Sequence, residues 1–216
     1  MLEFVIKALL AYMLGSVNGA LVVGRIYGGV DIRKSGSGNA GGTNALRSQG
    51  PVFAFFSVFI DIGKGFLPVW ILPGMVLPFL AGSQQPDLYS GPALYAAAAV
   101  LGHCYPLWHG FRGGKGAATM IGAYIALAPI LLVPVLLGWL VALLMFGYVG
   151  VATMVAGLSA PIYMFLQGLN DSQLPVFYFS SACALFLVYT HRSNIQRLRT
   201  GTESCMFPRA LLRRKR

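Results

Sequence analysis

Charge is scarce in this sequence. Lys, Arg, Asp and Glu make up 10% of its 216 residues, whereas soluble domains carry about 25%. From Gly116 to Thr190 there is no Lys or Arg. These shortages exclude a soluble globular domain and imply a polytopic membrane protein. Regular alternation of apolar and polar residues is also lacking. The apolar stretches are continuous, which argues against a membrane β-barrel. Cysteine is sparse: Cys104, Cys183 and Cys205 have neither paired nor metal-ligand spacing, so nothing requires disulfides. Three histidines and six acidic residues lie scattered, which predicts no metal site; no cofactor is expected either. The first apolar run, Leu2 to Val23, lacks the basic start and small-residue cleavage site of a signal peptide and reads as a retained helix.

What is present is apolar and basic. The chain is 56% hydrophobic with a formal net charge of +10 and a mean hydropathy of +0.69. Its basic residues sit beside apolar runs. That placement fits anionic membrane lipids and the positive-inside rule, and predicts no nucleic-acid partner. The length suits one helical membrane domain over residues 1–216, with a basic tail from about 204 to the end.

Clear apolar runs span Leu2–Val23, Val52–Phe79, Pro92–Leu107 and Leu174–Tyr189, with a long apolar block, Ala117–Gln167, between the last two. Charge sets the count. Basic segments Arg25–Arg47, Arg112–Lys115 and Arg192–Arg216 belong on the cytoplasmic side. They share that side only if the block supplies three spans, with breaks near Pro134 and Gly147–Gly150. The expected fold is therefore all-α and polytopic, with seven transmembrane helices, the N-terminus outside and the C-terminus cytoplasmic. Outer loops fall at Leu80–Gly91, with Asp87, and Gly168–Gln173, with Asp171. Two long helices in the block would instead give six spans and place the basic tail outside.

Three polar islands interrupt this apolar chain, all on one predicted face. The first is Ser35-Gly36-Ser37-Gly38-Asn39-Ala40-Gly41-Gly42-Thr43-Asn44-Ala45-Leu46-Arg47. It is too rich in Gly, Ser and Asn for a helix interior. A glycine nest beside an arginine suits a phosphate, although the composition alone also suits a flexible loop. The second is Phe111-Arg112-Gly113-Gly114-Lys115-Gly116-Ala117-Ala118-Thr119, whose Arg112–Lys115 precedes a helix expected near Ala117, so its N–H groups would meet an anion at a helix N-terminus. Ordinary positive-inside charge is the alternative. It is no Walker A loop, because His109 stands five before Gly114 and Gly116 follows Lys115. The third runs from His191 to Leu198. His191 and Asn194 share a face if the last helix continues. There the histidine either caps the helix, donates to a phosphate oxygen or orients a hydroxyl. His103 reads as structural and His109 as interfacial. Glu203 either pairs with a basic island or is exposed. Asp61 and Lys64, at i,i+3 in the second span, read as a neutralising pair; a transporter would reuse such a pair.

The His-x4-Asp pair of common glycerolipid acyltransferases is absent: Trp108, Gly114 and Gln196 stand five after the histidines. The islands instead resemble the three motifs of the bacterial acyl-phosphate-dependent glycerol-3-phosphate acyltransferases, the PlsY family. The resemblance rests on Gly36–Asn44 with Arg47, on Gly102-His103 and Pro106 through Gly113–Thr119, and on His191, Asn194-Ile195, Arg197-Leu198, Gly201 and Glu203. Ala40 stands where proline is common, and the basic tail is long. The resemblance implies a multi-pass enzyme of the bacterial cytoplasmic (inner) membrane with its site on the cytoplasmic face. Its substrates would be acyl phosphate and glycerol 3-phosphate, and contact with other phospholipid-synthesis enzymes is left open. Lys115 and Arg47 are then expected to hold the glycerol 3-phosphate phosphate, helped by His191 and Asn194. Ser37, Gly38, Asn39, Gly41 and Thr43 would hold the acyl phosphate and its developing oxyanion. Gly42, Asn44, Gly113, Gly114 and Gly116 complete the expected binding set. A transporter for phosphate esters or anionic lipids is the competing class.

Overall fold

A computed structural model describes residues 2–78 and 90–206. The outer-loop Asp87 and the extreme basic tail lie outside the described residues. Every regular element among the described residues is helical. The first apolar run is not one straight helix: α1 (Leu2–Gly15) and α2 (Gly19–Ile26) meet at a 45° bend. The cause is local. Ser16 bonds back to the Tyr12 carbonyl, and the Asn18 side chain accepts from the Leu21 amide, so one helix ends and another is capped within three residues.

The first island is half helical. Gly42–Gln49 forms α3, and Gly50 in the left-handed region then leads to Pro51, the first residue of α4 (Pro51–Ile71). Proline suits that position because its missing N–H would have no intrahelical partner. The expectation that Gly, Ser and Asn exclude helix throughout this island is therefore corrected: tertiary packing overrides propensity from Gly42 onward. After α5 (Ser90–Cys104) and the second island, α6 begins at Ala117 as expected and ends at Leu127. The apolar block does form three helices, α6 (Ala117–Leu127), α7 (Leu132–Phe146) and α8 (Val149–Gln167). Its first break lies at Ala128-Pro129, not Pro134. The residue before a proline disfavours helical angles, whereas Pro134 falls in the first turn of α7, where a proline is tolerated. The second break is at Gly147, left-handed as a helix-ending glycine usually is. Then α9 (Leu174–Thr190) turns through His191 into α10 (Arg192–Arg199).

Among the described residues, four stretches are long and apolar enough to cross a membrane: Pro51–Gly74, Pro129–Phe146, Val149–Gln167 and Asp171–Thr190. The bent α1–α2 pair makes a fifth if taken as one span. Their outer faces carry exposed Phe55, Phe59, Trp70, Leu144, Phe165, Leu166 and Leu185, the side chains expected against lipid. Glycines let the helices close up. A Cβ at Gly15 would run into Ala99, at Gly65 into Thr119, and at Gly122 into Ile62. Such small-residue crossings replace a hydrophobic driving force that lipid cannot supply. The result is a tight α1–α6 assembly with α7–α9 beside it, and all three islands gathered at one end.

Candidate active site

Each island is built differently. The first is organised by Asn44. Its amide donates to the carbonyls of Ile32, Ser35 and Asn39, and its Oδ1 accepts the Ser37 N–H at 2.9 Å. These bonds spend the Asn44 side chain on shaping the loop. Gly36 must be glycine: it lies in the left-handed region, and a Cβ would strike Asn44 Oδ1. The loop delivers Ser37, Asn39, Gly41, Gly42 and Thr43 to a groove wall. No side-chain hydrogen bond caps α3, and Gly41, Gly42 and Thr43 at its start line the groove, a setting that suits an anion. Arg47, one turn on, points into the same groove and meets no carboxylate among the described residues.

In the second island the expectation for the glycines is corrected. The N–H of Gly113 donates to the Cys104 carbonyl and that of Gly114 to the His103 carbonyl, both at 3.1 Å. These amides fold the loop back on α5 and are not free for an anion. Lys115 and Gly116 do line the groove, whereas Gly113, Gly114 and, in the first island, Gly38 do not. Arg112 also lies off the groove. Its carbonyl accepts from Arg33, which reaches the His109 carbonyl too and pairs with Asp31 at 2.9 Å. Arg33 thus ties the first island to the second, a link that sequence reading missed because the partners are more than 70 residues apart. The paired Arg33 holds the Asp31 carboxyl below its ordinary range.

The third island supplies a clamp. Lys115 Nζ donates to Asn194 Oδ1. Asn194 Nδ2 donates to Glu203 Oε1 at 2.7 Å, and Arg197 Nε donates to Glu203 Oε2 at 2.6 Å. Glu203 therefore pairs rather than lying exposed. Arg197 and Glu203 line the groove although neither was singled out as a site residue. Burial, and then the Arg197 charge, push Lys115 down to about 8. His191 is buried, with Nδ1 2.8 Å from the Leu187 carbonyl. Burial, and then the Lys115 charge, push it down to about 4, so it is neutral at pH 7. A carbonyl only accepts, so the proton is assigned to Nδ1 and Nε2 is left as an acceptor. Of the two active roles open to His191, this geometry suits orienting a hydroxyl; donating to a phosphate does not fit.

The three islands enclose one groove of about 640 Å³. Its lining includes the cations Arg47, Lys115 and Arg197 and the apolar Phe55, Phe59, Ile62, Ile121 and Trp139. Asp61 and His103 also border it. Cationic and apolar side chains lining one groove suit a ligand with a phosphate head and an acyl tail. Among the described residues no cluster could hold a metal ion.

Fold and site together define an all-helical membrane protein with a groove lined by cationic and apolar side chains. Known proteins give the particular case. The profile described as glycerol-3-phosphate acyltransferase matches residues 5–201. A glycerol-3-phosphate acyltransferase of Zymomonas mobilis is 39% identical over 197 residues, 90% of this chain and 92% of the relative. One from Burkholderia pseudomallei is 39% identical over 204 residues, covering 94% and 95%. The crystal structure of PlsY (YgiH), an integral membrane glycerol 3-phosphate acyltransferase, in its glycerol 3-phosphate form, matches with a TM-score of 0.80 at 33% identity, covering 98% of this chain and 99% of that one. Its lysophosphatidic acid form gives 0.78 at 34%, with 94% of each chain covered. The chain belongs to the PlsY family of glycerol-3-phosphate acyltransferases.

Proposed function

We propose that this chain transfers a fatty acyl group from acyl phosphate to the 1-hydroxyl of glycerol 3-phosphate, giving lysophosphatidic acid and inorganic phosphate. The observation that carries it is the convergence of three cationic side chains, an uncapped helix start and a neutral histidine in one groove with an apolar wall. Both substrates bear phosphate, and one bears a lipid tail. Lys115 and Arg47 hold the phosphate of glycerol 3-phosphate, and Asn194 holds the Lys115 amine in place. His191 Nε2 accepts from a glycerol hydroxyl. Ser37, Asn39, Thr43 and the α3 N–H groups hold the acyl phosphate and the oxyanion that develops on its carbonyl.

The hydroxyl oxygen attacks the acyl carbonyl carbon, and the bond from that carbon to the bridging phosphate oxygen breaks. The hydroxyl proton leaves on a phosphate oxygen of the substrate. A mixed anhydride carries a good leaving group, so orientation and charge neutralisation supply the catalysis. The proposed topology has seven traversals, bent α1–α2, α4, α5, α6, α7, α8 and α9, of which the bent pair, α4, α7, α8 and α9 are long and apolar enough among the described residues. The N-terminus then lies outside, and the groove, lined by Arg47, Lys115 and Arg197, lies on the cytoplasmic face of the bacterial inner membrane. Asp61 pairs with Lys64 at 2.9 Å, and it is the three cations lining the groove that favour the enzyme over a transporter.

The test is phosphate release by purified protein in detergent, given palmitoyl phosphate with and without glycerol 3-phosphate. Release that needs glycerol 3-phosphate and yields lysophosphatidic acid supports the reading. Folded protein that releases nothing across several acyl lengths would sink it.

A further inference from the structure

Beneath the groove lies a buried ionic cluster that the mechanism above does not use. Asp61 Oδ1 accepts the Gly19 N–H at 2.9 Å and Lys64 Nζ at 2.9 Å, and His103 Nδ1 stands 3.3 Å away. All three side chains are at most 5% exposed. Lys64 also donates to the Val17 carbonyl at 3.0 Å, so the carboxylate and its lysine together grip the bend between α1 and α2.

Both phosphate loops rest on this cluster. Next to Gly19, Asn18 donates from Nδ2 to the carbonyl of Ala40, between Asn39 and Gly41 of the first loop. On the other side, the His103 ring lies flush against Gly114, the neighbour of Lys115. A Cβ there would strike Nε2 of His103 and the Ala40 carbonyl. The His103 carbonyl also holds the Gly114 N–H. Asp61 is thus the point where one chain of contacts to the first loop meets one to the second. Burying a charged cluster is costly in a membrane protein, and the bend and helix ends could be capped without it.

We propose that Asp61 is a positioning residue that fixes the spacing between the two phosphate loops. This rests on the acyltransferase reading above. Attack needs the glycerol hydroxyl, placed by Lys115 of the second loop together with His191, to meet the acyl carbon held on the first loop. A shift of about 1 Å between them can cost roughly a hundredfold in rate. Each loop keeps its own phosphate contacts when Asp61 is lost, so binding survives while alignment fails.

The experiment is steady-state kinetics of Asp61→Asn with palmitoyl phosphate, together with calorimetric binding of glycerol 3-phosphate to count competent sites. Expected is a kcat, per competent site, lower by roughly 30- to 100-fold, with KM for each substrate and Kd for glycerol 3-phosphate within about threefold of wild type. Gly114→Ala, which pushes the second loop off His103 and leaves the charges alone, shows the same split. If Asp61→Asn does not fold, Asp61→Asn/Lys64→Met removes both charges and leaves neither buried alone. A kcat within about threefold of wild type, or a loss carried by KM, overturns the proposal. So does failure of all three variants to fold, which would make the cluster a keystone of the fold. Wild-type protein that binds glycerol 3-phosphate but transfers no acyl group overturns the acyltransferase reading, and this proposal with it.

Discussion

Lys64 and Lys115 sit in two neighbouring regions of the same protein and have opposite fates. Lys64, buried in α4, has Asp61 at 2.9 Å and the Val17 carbonyl at 3.0 Å. Its charge is cancelled where it stands. Lys115, at the groove, donates to the neutral Asn194, and the nearby carboxylate of Glu203 is already taken by Arg197 and Asn194. Its charge is held in position without being cancelled. The comparison teaches that the partner's charge, more than the depth of burial, decides whether a cation serves the fold or a ligand.

The hardest way to break the comparison is to delete each lysine. Lys115→Ala removes an uncancelled cation and is expected to lower kcat/KM by about 10³-fold, close to 4 kcal/mol of transition-state stabilisation. Its melting temperature in detergent should stay near wild type. Lys64→Met leaves Asp61 unpaired in the interior, and breaking a buried pair costs about 3–5 kcal/mol. It is expected to lower the melting temperature sharply. If Lys115→Ala melted early while Lys64→Met did not, the assignment of roles would be reversed.

A smaller cut sharpens it. Glu203→Gln removes the charge that Arg197 and Asn194 share but keeps the shape. Arg197 joins Lys115 and Arg47 as an uncancelled cation and Asn194 loses its charged acceptor, so Lys115 wanders. The expected outcome is a loss of about tenfold in kcat/KM, by analogy with outer-shell partners at other sites, read as a rise in KM for glycerol 3-phosphate. An unchanged KM would show that Glu203 serves only to fasten α10.

Protonation offers a third handle. Lys115 in the empty groove is held near 8 by burial first. Its cation is present below that value and lost above it. The plot of kcat/KM against pH, which reports the free enzyme, should therefore fall on the basic side from about pH 8. Lys115→Arg keeps a guanidinium charged throughout, so its residual activity should lack that basic limb. A basic limb unchanged in Lys115→Arg would assign the titration to another group.

How much of this was legible in sequence depends on the reach of each contact. The Asp61–Lys64 pair was legible because both sit one turn apart on one helix. His103, the third member, was not, because nothing local reveals that α5 brings it there. The convergence of the three islands followed from charge and span counting, as did the start of α6 at Ala117. The use of the Gly113 and Gly114 amides did not, because their acceptors lie in α5, ten or so residues back, around a turn. Asn44 reads as a ligand by type and proves to be the organiser of its own loop. Arg197 and Glu203 stand among the residues that carry the resemblance, but their pairing was not legible, because Glu203 lies beyond the end of α10 and past the left-handed Gly201 and returns to Arg197 only through that turn.

The smallest effect concerns His191, whose neutral state is part of the contrast between cancelled and uncancelled charge. Burial and the Lys115 cation hold it near 4, against about 6.5 when unfolded. Between those values the unfolded chain binds the proton and the folded protein does not. Stability must therefore fall as pH drops below about 6.5, by about 1 kcal/mol at pH 5.5. Wild-type protein should melt earlier at pH 5.5 than at pH 7.5, and His191→Gln, which has no proton to bind, should lose that part of the slope. If Lys115 supplies part of the depression, Lys115→Met relieves it, and the acid slope flattens there as well. A slope identical in wild type and both variants would mean that His191 is charged in the folded protein. It would then be a fourth cation in the groove, and a phosphate donor rather than the acceptor for a hydroxyl.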